Sequence, residues 1–198
     1  MGMTCSLLSV SDRNIERILR DPPLVYRIIA PDDPEAYKEA RNQDRKPSFL
    51  QKLFGGRKPE VGPEDLEMLQ CKPIQCFLDK AWDGIHYLFT GTSGRGAPPM
   101  NFLLAGGKEL NQPHQTLRLI TSTEVKAAFE ALRLTSDEEL RNRFQPKDML
   151  KKDIYPNIWA RDPSEDDTLG YLMNHVAVLR QFLADLVARG LGAIGGIG

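Results

Sequence analysis

The stretch that most restricts the fold lies near the end of the chain. Leu169, Leu172, Met173, Val176, Leu179, Phe182, Leu183, Leu186 and Val187 recur at three- and four-residue intervals, which is the pattern of a long helix with one broad apolar stripe. A stripe of that width has to be covered by other elements. Ser164 is placed to cap its start, and Gly190 to end it in the left-handed conformation that glycine adopts most easily. Residues 191–198 then read as a last strand, weakened by four glycines.

The covering elements are sought upstream. Residues 3–10 read as a first strand, and Ser11 as the cap of a helix carrying Ile15, Ile18 and Leu19, which Asp21-Pro22-Pro23 stops. Residues 24–29 form a short apolar run. Phe77, Leu78, Ala81, Trp82, Ile85 and Leu88 fall at helical intervals, so one helix with a buried face is expected from there to Thr90-Gly91. Thr116 to Ile120 alternates as a strand does. Thr121 with Glu124 makes a capping box for a helix over residues 125–132, and Thr135 with Glu138 repeats the device for residues 139–144. Residues 151–163 form an aromatic loop between helices. The expectation is an α+β protein in which a small sheet packs with several helices, the long C-terminal one among them.

A chain of 198 residues, 41% hydrophobic, is long enough for one substantial core, so a single domain over residues 1–198 is the default. Residues 31–63 stand apart from it. Pro31, Pro34, Pro47, Pro59 and Pro63 punctuate a polar stretch rich in both charges, which cannot bury enough apolar surface to order itself fully. Its exception is the amphipathic piece at residues 49–54, read as a flap on the domain, a lid or a partner-binding helix. Residues 64–70 suggest a helical turn or two.

The 26 basic and 27 acidic residues nearly cancel, so no global field recruits nucleic acid or an anionic membrane. No apolar run approaches the roughly 18 residues of a membrane span, and no signal core is visible; a cytoplasmic protein is expected. The opening Met1 to Ser6 fits the loose myristoylation pattern, but a first strand over residues 3–10 would bury that end. Three cysteines without a secretion signal suggest reduced thiols. The Cys71-x4-Cys76 spacing, with no second pair or histidine cluster, favours buried small hydrophobes over zinc. Neither a metal site nor a cofactor is expected.

Three places could carry chemistry. The first is Thr90-Gly91-Thr92-Ser93-Gly94-Arg95-Gly96, a glycine-rich loop with hydroxyls and a guanidinium. It has no lysine where a Walker loop needs one, and its glycines follow a helix in the order G-x-x-G-x-G, so both phosphate-binding fingerprints fail. What survives is an anion nest at Gly94 to Gly96 with Arg95, weighed against an ordinary helix cap and turn. The second is the stripe Asp79, Asp83 and His86, where carboxylate and imidazole could trade protons or join a metal site; solvated surface charge beside a hydrogen-bonded histidine is the plainer reading. The third is the group Tyr155, Pro156 and Trp159, able to stack on a ring but more commonly a loop pinned to the core. His114 falls in a polar loop and His175 beside the apolar stripe, and nothing in the sequence joins the three histidines. Elbow-serine, zinc-helix and cysteine-nucleophile patterns are absent.

The string FLDKAWDGIHYLFTG at residues 77–91 closely resembles the signature of the YfbM-like family, small bacterial proteins with a domain of unknown function. The opening Met1-Gly2-Met3, the segment Phe102-Leu103-Leu104-Ala105-Gly106-Gly107, residues 117–125, residues 154–159 and the final helix extend the resemblance in order. It implies a single α+β domain and brings no established activity. Matched position by position, it marks Lys80, Trp82, His86, Thr90, Gly91, Arg118, Tyr155 and Trp159 as candidates for a shared pocket. The proline-rich segment and the glycine-rich tail depart from what the family leads one to expect.

Two functional expectations follow. One is a binding or regulatory protein working through a macromolecular partner, possible roles being an immunity-type or stress accessory factor, with a homodimer a fair guess. The other is an enzyme or sensor for a nucleotide or similar phosphorylated ligand. There Arg95 or Arg118 would hold phosphate, Tyr155 or Trp159 would stack, and His86 would move protons with Lys80 or Asp83 tuning it.

Overall fold

The fold was analysed in a computed structural model, which describes residues 2–44, 72–112 and 115–198. These fall into two compact units, Met1–Asp12 with Ile74–Gly198, and Arg13–Pro73. The larger unit contains a five-stranded sheet in the order β2-β1-β5-β4-β3, antiparallel at every pairing. In chain order its strands are β1 (Cys5–Val10), β2 (Gln75–Asp79), β3 (Lys108–Gln112), β4 (Gln115–Ile120) and β5 (Gly192–Ile197).

The smaller unit takes in most of α1 (Asp12–Arg20), a 3₁₀ turn (Pro22–Val25), α2 (Tyr26–Ile29) and α3 (Pro34–Asp44). Within it the Arg27 guanidinium lies over the Tyr37 ring, 4.3 Å from its centroid, and Arg41 donates to the Tyr37 hydroxyl at 2.9 Å. Asp33 caps α3 by accepting the Glu35 and Ala36 amides. The polar stretch that composition reads as poorly ordered therefore includes a capped helix, with Pro34 at its first position, where a missing amide hydrogen costs nothing. The expected amphipathic piece at 49–54 and the helical turn at 64–70 lie outside the described residues, as do Cys71 and His114.

In the larger unit the helices are α4 (Trp82–Thr90), α5 (Phe102–Ala105), α6 (Ser122–Leu134), α7 (Asp137–Asn142), α8 (Pro146–Lys151) and α9 (Thr168–Arg189). The long helix α9 lies against α6 and β2, while α6 covers β5. Leu172, Val176, Leu179, Leu183 and Leu186 of α9 are buried there with Leu7, Leu78, Ile85, Leu88, Val125 and Leu132. The stripe is covered as its periodicity requires.

Three sequence expectations are corrected. Phe77 and Leu78 belong to β2, and the helix begins only at Trp82. The residues between them turn the chain: Asp79 sits at φ 46°, a left-handed conformation that ends the strand. Cys76 and Leu78 are buried while Phe77 is 56% exposed, so a two-residue alternation was hidden inside an apparent helical one. The second capping box is Ser136 with Glu139, one residue later than expected, because Thr135 closes α6 and spends its hydroxyl on the Ala131 carbonyl. Helix α9 is capped by Asp167, whose Oδ1 accepts the Gly170 amide at 2.8 Å, and Ser164 bonds Asp162 instead. The last strand expected in the glycine-rich tail is present, and it is the central one, between β1 and β4. Leu7 of β1 lies over Gly195 and Leu117 of β4 over Gly196, so neighbouring leucines fill the space that β5 leaves.

Gly84 of α4 shows how tightly this core closes. A Cβ there would lie 2.8 Å from the Trp159 indole and 2.7 Å from Leu172. Alanine favours a helix over glycine by about 1 kcal/mol, but forcing a methyl group into a filled core costs about 1–3 kcal/mol. The rigid indole makes the second effect win. Gly84→Ala is therefore expected to lower stability, read as a reduced urea midpoint with an unchanged slope; a raised midpoint would show that the indole gives way freely.

Candidate functional site

A cleft of about 250 Å³ opens in the larger unit, lined by Asp79, Lys80, Pro156, Ile158, Asp166, Thr168 and Tyr171. Three elements build it: the turn out of β2, the aromatic loop before α9, and the first turn of α9. Asp79 and Lys80 are adjacent in sequence, and the positive φ at Asp79 sets the direction of the chain as it leaves the sheet. Tyr171 donates its hydroxyl to Asp79 Oδ2 at 2.9 Å and ties β2 to α9. Burial first, then the hydrogen bond to Asp79 and the carboxylate charge, push the Tyr171 phenol up to about 12, so it remains a donor at any physiological pH. Its ring meets His175 edge-on at 4.5 Å.

The loop wall is held from behind. Asp83, 5% exposed, accepts the Tyr155 amide at 2.9 Å, and its carboxyl is raised above the ordinary range, mainly by burial, against the lowering effect of that bond. Trp159 is 2% exposed and donates its indole hydrogen to the Ile154 carbonyl at 2.9 Å. Trp82 stacks on Tyr155 with ring centroids 5.5 Å apart. These contacts fix the stretch that offers Pro156 and Ile158 to the cleft. A Cβ on Gly2 would fall 2.6 Å from the Tyr155 hydroxyl and 2.8 Å from Lys80 Cε, which places Lys80 and Tyr155 side by side.

The sequence candidates are thus divided among three places. Lys80 lines the cleft, and Tyr155, Asp83 and Trp159 support it. Thr90 and Gly91 end α4 and Arg95 lies in the loop after it, which His86 reaches from the middle of the helix. There Gly91 is the left-handed cap at φ 70°, the Thr90 hydroxyl donates to the His86 carbonyl at 2.8 Å, and Lys152 donates to the Gly91 carbonyl at 2.8 Å. His86 is fully buried and donates from Nε2 to the Arg95 carbonyl at 2.5 Å, while its Nδ1 has no partner. Arg118 lies on β4, bonded to the Gly106 carbonyl at 3.2 Å and to Glu109 at 3.4 Å; β4 is three strands from β2, about 14 Å across the sheet. His86 and Arg118 share none of these partners. The expected stripe of Asp79, Asp83 and His86 does not form: Asp79 ends a strand, and Asp83 and His86 are buried rather than solvated.

Sequence reasoning did not single out Asp166, Thr168, Tyr171 or Ile158 for the site. Thr168 and Tyr171 stand three residues apart on the first turn of α9, so they share a face. That signal was present, but a start assigned to Ser164 hid it. Among the described residues no group of three or more His, Cys, Asp or Glu could hold a metal ion, and no helix is long and apolar enough to cross a membrane. Cys5 and Cys76 are buried free thiols, both pushed up to about 12, chiefly by burial, which makes them poor nucleophiles.

Burial holds the His86 imidazole below its ordinary 6.5, partly offset by the bond to Arg95. The unfolded chain then binds more protons than the folded one as pH falls below about 6.5, so stability is lost on acidification through that range. The melting temperature is expected to drop from pH 7 to 5.5, and His86→Gln, which keeps a donor for Arg95, should remove much of that slope. An unchanged slope in the variant would assign the acid sensitivity elsewhere.

Comparison with known proteins follows the same lines as the fold. No curated protein matches the chain. Among solved structures, the crystal structure of YfbM from Escherichia coli, a protein of unknown function, matches with a TM-score of 0.62 and 18% identity, covering 98% of this chain and 99% of that one. At that identity the likeness establishes the α+β fold. Residues 1–195 match the family described as Domain of unknown function (DUF1877), and with that match the chain belongs to this YfbM-like family.

Proposed function

We propose that this is a binding or regulatory protein that receives part of a macromolecular partner in the cleft of Asp79, Lys80, Pro156, Ile158, Asp166, Thr168 and Tyr171. The observation that carries the reading is the size of the cleft against its construction. Pockets that enclose small-molecule ligands usually measure about 300–1,000 Å³, whereas this one is about 250 Å³. A nucleotide would not be enclosed by it. A single long side chain projecting from a partner surface would fit, and anchors of that kind supply most of the energy in many protein interfaces.

The construction supports the same reading. Tyr171 to Asp79, Asp83 to the Tyr155 amide and Trp159 to the Ile154 carbonyl hold the lining before anything binds, which limits the ordering cost of association. The histidine that a phosphoryl or proton-transfer site would need is buried in the middle of α4 with its Nε2 committed to the Arg95 carbonyl, and it is not among the residues that line the cleft.

Two measurements test this, one on the purified protein and one in cells. A thermal-shift panel of nucleotides, sugar phosphates and NAD is expected to leave the melting temperature unchanged. A photo-crosslinking residue at position 158 is expected to give a defined protein adduct in cells, lost in an Asp166→Arg variant that melts normally. A small ligand present at about a hundred times its dissociation constant would add about 2.7 kcal/mol, or roughly 5–10 °C for a chain of this size. A shift of that kind, abolished by Lys80→Ala, would overturn the proposal in favour of a phosphorylated-ligand sensor.

A further inference from the structure

We infer that the cleft is built for a basic side chain, an arginine or lysine presented by the partner protein. This rests on the reading of the cleft as a partner-binding site and specifies its occupant.

The lining is complementary to such a group in both shape and charge. Pro156 and Ile158 offer apolar surface, which suits the methylene stem of a lysine or arginine. Asp79 and Asp166 place two carboxylates on the lining against one ammonium, Lys80. Asp79 is a restrained acceptor: Tyr171 occupies Oδ2 at 2.9 Å, which leaves Oδ1 for a second donor. A carboxylate so restrained suits a guanidinium or ammonium, because charge-assisted bonds gain most from pre-set geometry. Asp166 is already paired with Arg161 at 2.8 Å. That pair lies at the surface, where such contacts are worth at most about 1 kcal/mol, so an incoming cation can exchange for Arg161 at little cost. Thr168, 5% exposed, adds a hydroxyl whose bond to the Trp159 carbonyl is a long 3.5 Å.

Lys80 decides between this occupant and an acidic one. It is exposed, and no described carboxylate lies within ion-pair distance of its ammonium. An acidic side chain would be drawn to Lys80 but repelled by Asp79, the carboxylate of Asp166 being offset by Arg161. A basic one is drawn to Asp79, and to Asp166 once it has displaced Arg161, against the single ammonium of Lys80. Removing the Lys80 charge should therefore tighten a basic ligand and weaken an acidic one.

The test uses the full chain and three capped pentapeptides of sequence Gly-Ala-X-Ala-Gly, with arginine, norleucine or glutamate at X. Binding is followed by amide chemical shifts of residues 79–80, 158 and 166–171 at low salt. The arginine peptide is expected to shift these amides saturably and the other two to leave them in place. Asp79→Asn should weaken the arginine peptide by about tenfold, Lys80→Gln should strengthen it severalfold, and 0.5 M salt should weaken it. Equal shifts from the norleucine peptide, or shifts from the glutamate peptide that Lys80→Gln removes, would overturn the basic occupant while leaving the cleft a binding site. No shift from any peptide, in a protein whose spectrum shows it folded, would overturn both.

Discussion

The apolar stripe of α9 has to be hidden from water, and the placement of the other elements in the larger unit follows from how that is done. Burying a leucine-sized side chain is worth about 1.5–3 kcal/mol, and α9 contributes Leu172, Val176, Leu179, Phe182, Leu183 and Leu186 to one cluster. The helix reaches from Thr168 to Arg189, so a single flanking helix would leave part of the stripe wet. The sheet, α6 and α4 share the work. Because α9 must lie along β2 to be covered, its first turn arrives where β2 ends, and Tyr171 can bond Asp79. The cleft is a by-product of that packing, given polar groups at its edge.

Much of this architecture was legible because its signals are local. A capping box such as Thr121 with Glu124 satisfies backbone groups within four residues of sequence, and Gly91 and Gly190 stop helices by their own conformation. What the sequence concealed depends on contacts between distant segments. Phe77, Leu78, Ala81 and Trp82 fit a helical period and a strand period equally well, and only pairing with β1 selects the strand for the first two. The strand β3 carries just one buried apolar residue, Leu110, so it has no pattern of its own and exists by pairing with β4.

The site was less legible than the fold, and for the same reason. Lys80, Tyr155 and Trp159 stood out by type, and the structure gathers them at one place. Asp166, Thr168 and Tyr171 looked like the ordinary polar start of a helix. Conversely, His86 and Arg118 carry the side chains most often used in catalysis, yet each serves the frame: one fastens the loop after α4 through Arg95, the other joins β4 to the segment before β3. Residue type identifies what a side chain is able to do, whereas burial and partners determine whether it is available to do it.

The position of β5 has a consequence for assembly. It pairs with β1 on one side and β4 on the other, so before it is in place the sheet is two separate strand pairs, β2 with β1 and β3 with β4, and an isolated pair of strands is only marginally stable in water. The segment that unites them follows the other four strands in sequence, and its pairing with β1 joins residues more than 180 positions apart. Until β5 is in place both halves of the sheet carry an unpaired edge, and joining them requires long-range contacts, the kind that form slowly.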